Sequence, residues 1–177
     1  FSMARDGVGT PLASLAAELS AGIECDSRAV PDGNVELRLI ARRASGAVVA
    51  EARRVVLVNN SVVWHGGPLA SSETWAPGRV HVVTRDLVIP ANLTLTIEPG
   101  SIVKFLPGTR IQVRGGAVLS ASGTAALPVV LTSFLDDTAG GDTNLDGDQT
   151  RATPGAWRLA LSASGRIDSN DHTRFRF

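Results

Sequence analysis

The sequence predicts an all-β chain in two parts, an antiparallel hairpin unit followed by short strands wound into stacked coils. Three observations lead there. Apolar and polar residues alternate with a period of two through most of the chain, the spacing of a half-buried strand rather than of a helix. The breaks between runs carry Gly and Pro and are too short to hold crossover helices. Beyond Val80, apolar residues return at offsets of roughly 23 to 26 residues, within the range expected of a solenoid.

Composition bounds what such a chain does. Its 177 residues, 44% of them hydrophobic, suffice for one ordinary domain or two small ones with a buried core. Seventeen basic side chains balance seventeen acidic ones, so no net field favours nucleic acid or an anionic membrane surface. The apolar runs are far shorter than the ~20 residues a bilayer span requires. With one cysteine, Cys25, no internal disulfide forms; Cys25 has no histidine near it in sequence and reads as a packing residue, not a catalytic thiol. The abrupt start at Phe1 and the end within the strand-like "HTRFRF" suggest a piece of a longer chain.

The first part spans residues 1–60. "PLASLAAELSAG", Pro11 to Gly22, is the one stretch with a helix-like composition and is read as irregular or strand. Pro31-Asp32-Gly33 is a turn tripeptide. After it, Val35, Leu37 and Leu39 alternate with Glu36, Arg38 and Ile40, Ser45-Gly46 marks a reversal, and a second alternating run follows to Asn60. The segment "AVPDGNVELRLIARRASGAVVAEARRVVLVNN" resembles the last strands of bacterial immunoglobulin-like or fibronectin-type modules. That implies a partial β-sandwich whose first strands lie elsewhere.

Residues 61–79, rich in Gly, Pro, Ser and Asn, read as a linker. Trp64 and Trp75 within it are expected to cap the exposed end of a neighbouring core, the alternative being glycan-stacking platforms. Residues 80–177 then hold short strands separated by Pro99-Gly100, Pro107-Gly108 and Gly115-Gly116, breaks that turn corners. In a parallel β-helix, Leu95, Ile97, Val103, Phe105, Ile111, Val113, Val118 and Leu131 face inward. Thr94, Thr96 and Lys104 meet solvent.

"LVIPANLTLTIEPGSIVKF" followed by "GTRIQVRGGAVLSASGTAALPVVLTS" resembles the first coils of right-handed parallel β-helix repeat proteins of bacterial surfaces. Two residues depart from that pattern: Asn92 stands where those proteins carry Gly, and Leu131 where they carry Phe. The resemblance implies a secreted or cell-surface location.

The coil is interrupted at 136–156 by an acidic loop. Asp142, Asn144 and Asp146 take positions one, three and five of an oxygen-ligand calcium loop and Gly147 takes position six, with Asp148 beyond. The twelfth position, where an EF-hand needs a bidentate Glu, is Thr153, so the pattern is not an EF-hand. A looser calcium loop completed by Asp136 or Asp137 fits the residues, and so does a plain solvated acidic turn, since Asp, Asn and Gly are also ordinary turn formers. The surface-protein resemblance implies the first reading, a calcium-held excursion from the coil.

No Asp, Arg and Lys line up on successive coils, so no catalytic residues are expected in this chain. His65, His81 and His172 are too scattered to read as a metal site and are expected in loops or at the surface. The expectation is a non-enzymatic extracellular scaffold or adhesion fragment with a glycan or cell-surface partner. The alternative is the front of a carbohydrate-active β-helix enzyme, a lyase or glycosidase, whose active site lies outside this chain.

Overall fold

The computed structural model describes residues 2–5, 8–11, 26–30, 32–147 and 149–176. Cys25 and residues 12–22 of the helix-like stretch lie outside them. The chain divides into two compact units, Phe1–Asn60 and Ser61–Phe177, and both are built of strands. Among the described residues no helix is long and apolar enough to cross a membrane.

The first unit is one antiparallel sheet of β1 (Ser2–Arg5), β2 (Val8–Pro11), β3 (Gly33–Arg42) and β4 (Val48–Val58), in the order β2-β1-β3-β4. The hairpin β3–β4 reverses where Ser45-Gly46 predicts it. Arg43 N donates to Ala47 O at 2.9 Å, and Gly46 takes a φ of 87°. Val35 lies opposite Val56, and with Val58 and the half-buried Leu37 and Val30 they make a small core. Val55 falls on the other face, at 61% exposure, beside the ion pairs Arg38–Glu51 and Arg53–Glu36. Asn60 ties this unit's end to the stretch before β3: its amide donates to Ser27 O and Val30 O at 3.0 and 3.1 Å.

The second unit begins earlier than the sequence suggests. Residues 61–79 are not a linker: they form β5 (Val62–Pro68) and β6 (Glu73–Trp75), both paired in parallel with later strands. Of the small residues that read as linker, Ser71 and Ser72 lie in the corner between them, whereas Gly66, Gly67 and Pro68 lie within β5, where its register shifts. There follow β7 (Val80–Ile89), β8 (Thr94–Ile97), β9 (Ile102–Phe105), β10 (Arg110–Val113), β11 (Val118–Ala121), β12 (Val129–Ser133), β13 (Arg158–Leu161), β14 (Arg166–Ser169) and β15 (Thr173–Phe175). All pair in parallel and stack on three sides of one core. The first side holds the start of β5, the start of β7, β9, β12 and β15. The second holds the ends of β5 and β7, then β10 and β13, and the third holds β6, β8, β11 and β14. The chain visits the three sides in the same order on each pass, so a single sheet edge never has to reverse.

Side chains stack in register down the interior: Leu87 on Ile111 on Leu159, Leu95 on Leu119 on Ile167, and Val103 on Leu131 on Phe175. Of the eight residues expected inside, seven are there. Val118 is not; Leu119 takes its place with no exposed surface. The true repeat sets Leu95 against Leu119, one residue later than the alternation suggests, and in a strand one residue is the difference between the two faces. Phe105, fully buried, stacks on Trp157 with ring centroids 4.1 Å apart.

Asn92 explains its own departure from the glycine pattern. Its φ is 64°, and it occupies the corner above Gly116, whose φ is 77°, its Oδ1 lying 3.2 Å from where a Cβ on Gly116 would stand. The corner requires a left-handed residue, and Asn is among the few besides Gly that adopt that conformation at small cost. Leu131 fills the interior as the larger aromatic would, without exposed surface.

Candidate metal centre

The acidic loop leaves the coil after β12 and returns at β13, between the first and second sides. Its foot is fixed by Asp136, a buried carboxylate. Asp136 accepts from Thr132 Oγ1 at 2.6 Å, from Thr138 N at 3.1 Å and from Arg176 Nη1 at 3.1 Å. Burial works against its charge, but the hydrogen bonds from Thr132, Thr138 and Arg176 outweigh that and hold the carboxyl down at about 2. Asp136 is thus engaged as an anchor, and it is not among the carboxylates that converge at the loop's tip.

The loop lies against the outer surface of the first side. A Cβ on Gly140 would stand 2.9 Å from Val80 Cγ2 and 3.3 Å from Ile102 Cδ1, so only glycine permits the approach, and its φ of 74° asks for glycine as well. Ala139 and Thr143 are buried in the same contact. This covering overturns one expectation outright. Lys104 points away from the core, as the alternation requires, yet its exposure is 0% and its Nζ donates to Gly141 O at 2.8 Å. Burial lowers its pKa, while the carboxylates of Asp137, Asp136 and Asp142 act in the opposite direction.

At the tip the chain folds around Asp142. Its Oδ1 accepts from Asp146 N at 3.1 Å and its Oδ2 from Gly147 N at 2.8 Å. Asn144 Nδ2 donates to Asp146 Oδ2 and to Thr150 Oγ1, each at 2.8 Å, and Thr150 Oγ1 donates in turn to Asp146 Oδ2. Leu145 is held at a φ of 57°, a conformation that costs a branched side chain on the order of 1 kcal/mol. The result brings Asp137, Asp142 and Asp146 together, each offering an oxygen within 4.8 Å of the others. Asn144 Oδ1 and Asp146 Oδ1 are sealed from solvent and receive no hydrogen bond.

This donor set suits a hard cation. Oxygen ligands bind calcium at about 2.3–2.6 Å, so two oxygens on opposite sides of one ion lie about 4.6–5.2 Å apart. The cluster falls inside that span, and the two buried acceptor oxygens are the kind of group an ion satisfies. Of the residues the sequence singled out, the structure gathers Asp137, Asp142 and Asp146, places Asn144 beside them and diverts Asp136 to the foot. Asp148 lies outside the described residues.

Three functional contacts were not legible. Lys104 and Arg176 reach the loop from far away in sequence, and only the parallel stacking of β9, β12 and β15 places them under it; Thr132 is local, four residues before Asp136, but turns to the outer face where the loop's foot lies.

Two of the three histidines differ from expectation, while His172 is exposed in a turn. His81 is buried and His65 half-buried; His65 Nε2 lies 2.9 Å from His81 Nδ1, and His81 Nε2 lies 2.9 Å from Ala76 O. Both rings stack on Trp75, at centroid distances of 3.8 and 5.1 Å. Trp75 is itself core, with its Nε1 donating to Glu73 Oε2 at 2.9 Å. Trp64, expected to cap, is instead 52% exposed, its ring tilted against Phe134.

Comparison with models of known protein families, with curated proteins and with solved structures gave no match.

Proposed function

We infer that this chain is a non-enzymatic extracellular scaffold in which a divalent cation, calcium, pins the acidic loop to the outside of a right-handed parallel β-helix, the first unit being the end of an immunoglobulin-like module. The observation that carries the cation reading is the convergence of Asp137, Asp142 and Asp146. Three carboxylates this close repel one another, and a divalent ion removes that repulsion while ligating all three. The scaffold reading is supported by the in-register stacks of β5 to β15, which devote the chain to a long solid core. A glycan or cell-surface partner is the class of ligand such a scaffold presents itself to, and the bacterial cell surface or exterior is its proposed location.

Calorimetry tests the cation. The intact chain should bind calcium with a dissociation constant of about 10⁻⁴–10⁻³ M, the range of extracellular modules, because the twelfth-position Glu is absent. The double variant Asp142→Ala, Asp146→Ala should lose the heat, and a chelator should lower the melting temperature of the intact chain but not of the variant. Equal heats from both proteins, or a chelator without effect, reduce the loop to an acidic turn.

A further inference from the structure

Lys104 is the chain's only lysine and carries a charge at a place where a charge is costly. Its neighbours across the sheet, Val82 and Thr132, are as buried as it is, and Trp64 is the next residue of the same outward row. An aliphatic residue would pack this row without desolvating an ammonium group. What the ammonium finds instead is the loop: the Gly141 carbonyl at 2.8 Å, with the carboxylates of Asp137, Asp136 and Asp142 as the charges acting on it. Arg176 already pairs with Asp136 at 3.1 Å. The ammonium therefore stands on the acidic side of the loop, where its charge acts on two of the three clustered carboxylates, Asp137 and Asp142.

We propose that Lys104 is a built-in cation of the loop: it docks the stretch 139–143 on the coil with no metal bound, and its charge weakens the tip's hold on a trivalent ion more than on a divalent one. The charge-setting half rests on the cation reading above; the docking half does not. Coulomb's law gives the selectivity. Removing one positive charge near the site favours a trivalent ion over a divalent one by one additional unit-charge interaction, about tenfold or more in relative affinity at the effective dielectric of a protein surface. Asn144 Oδ1 and Asp146 Oδ1, buried without a hydrogen bond, belong to that tip and not to the stretch Lys104 holds.

The test uses the full chain and the variant Lys104→Met, which keeps the length and packing of the stem. Lys104→Gln serves if the Met variant does not fold, and Lys104→Arg should restore both readouts. In chelator, hydrogen exchange at amides 139–143 should be about tenfold or more faster in Lys104→Met than in the parent. Calorimetric titrations with calcium and with terbium should show the terbium-to-calcium affinity ratio rising about tenfold in the variant. Unchanged exchange overturns the docking role, and an unchanged ratio with binding intact overturns the charge-setting role. If neither protein binds either ion, the cation reading fails and the charge-setting role with it, while exchange alone decides the docking role.

Discussion

Val118 and Leu119 show how finely a strand residue's role is divided. Both are aliphatic and adjacent, yet Leu119 has no exposed surface and Val118 belongs to the outer face, because β11 stacks Leu119 between Leu95 and Ile167. Leu119→Ala should cost about 2–5 kcal/mol, the usual range for an aliphatic core truncation, and Val118→Ala under about 1 kcal/mol. Urea unfolding of the two variants checks the register, and reversed values would mean the strand is turned the other way. Phe105→Ala should cost about 3–5 kcal/mol, since it also removes the ring stacked on Trp157; a change in the tryptophan near-ultraviolet dichroism should accompany the loss.

At the scale of elements, β5 and β7 are coupled by two histidines that the hydropathy pattern does not mark. Their tautomers interlock. If His81 Nε2–H donates to Ala76 O, its Nδ1 accepts from His65 Nε2–H, and the pair is neutral. Burial, together with the neighbouring His81, lowers the His65 pKa to about 4, and burial lowers that of His81 as well. Glu73, bonded to Trp75, and Arg79, which acts on His81, are the charged groups beside them. A base whose folded pKa is depressed takes up protons more readily when unfolded. Stability should therefore fall as pH drops from about 6.5 toward 4. The melting temperature measured over that window should decline in the parent and decline less in His65→Gln. Equal slopes in the two proteins would place the acid sensitivity elsewhere.

For the molecule as a whole, the division at Asn60 and Ser61 predicts which parts stand alone. A chain beginning at Ser61 keeps every strand of the three-sided stack and should unfold in one cooperative transition. A chain beginning at Val80 loses β5 and β6, and with them Trp75 and Leu69 from the core, so its midpoint in urea should be clearly lower. Equal midpoints would mean that the segment 61–79 contributes nothing to the coil.

The sequence by itself determined the all-β character, the hairpin β3–β4, the corners at Pro99-Gly100, Pro107-Gly108 and Gly115-Gly116, and the convergence of Asp142 and Asp146 around Gly147. Each of these is local: alternation, turn residues and ligand spacing act over a few bonds. Only the tertiary structure decided the roles of Lys104, Asp136, Arg176, His65 and His81. Alternation assigns Lys104 to the outer face and is right, but the outer face becomes an interior where residues 139–143 of the loop fold back across it, and no local pattern encodes that covering. The linker reading of 61–79 failed for a related reason. Gly, Pro and Ser mark corners and linkers alike, and only the pairing of Val62 with Val80 and Trp75 with Ile97, across some twenty residues, distinguishes a coil from a tether.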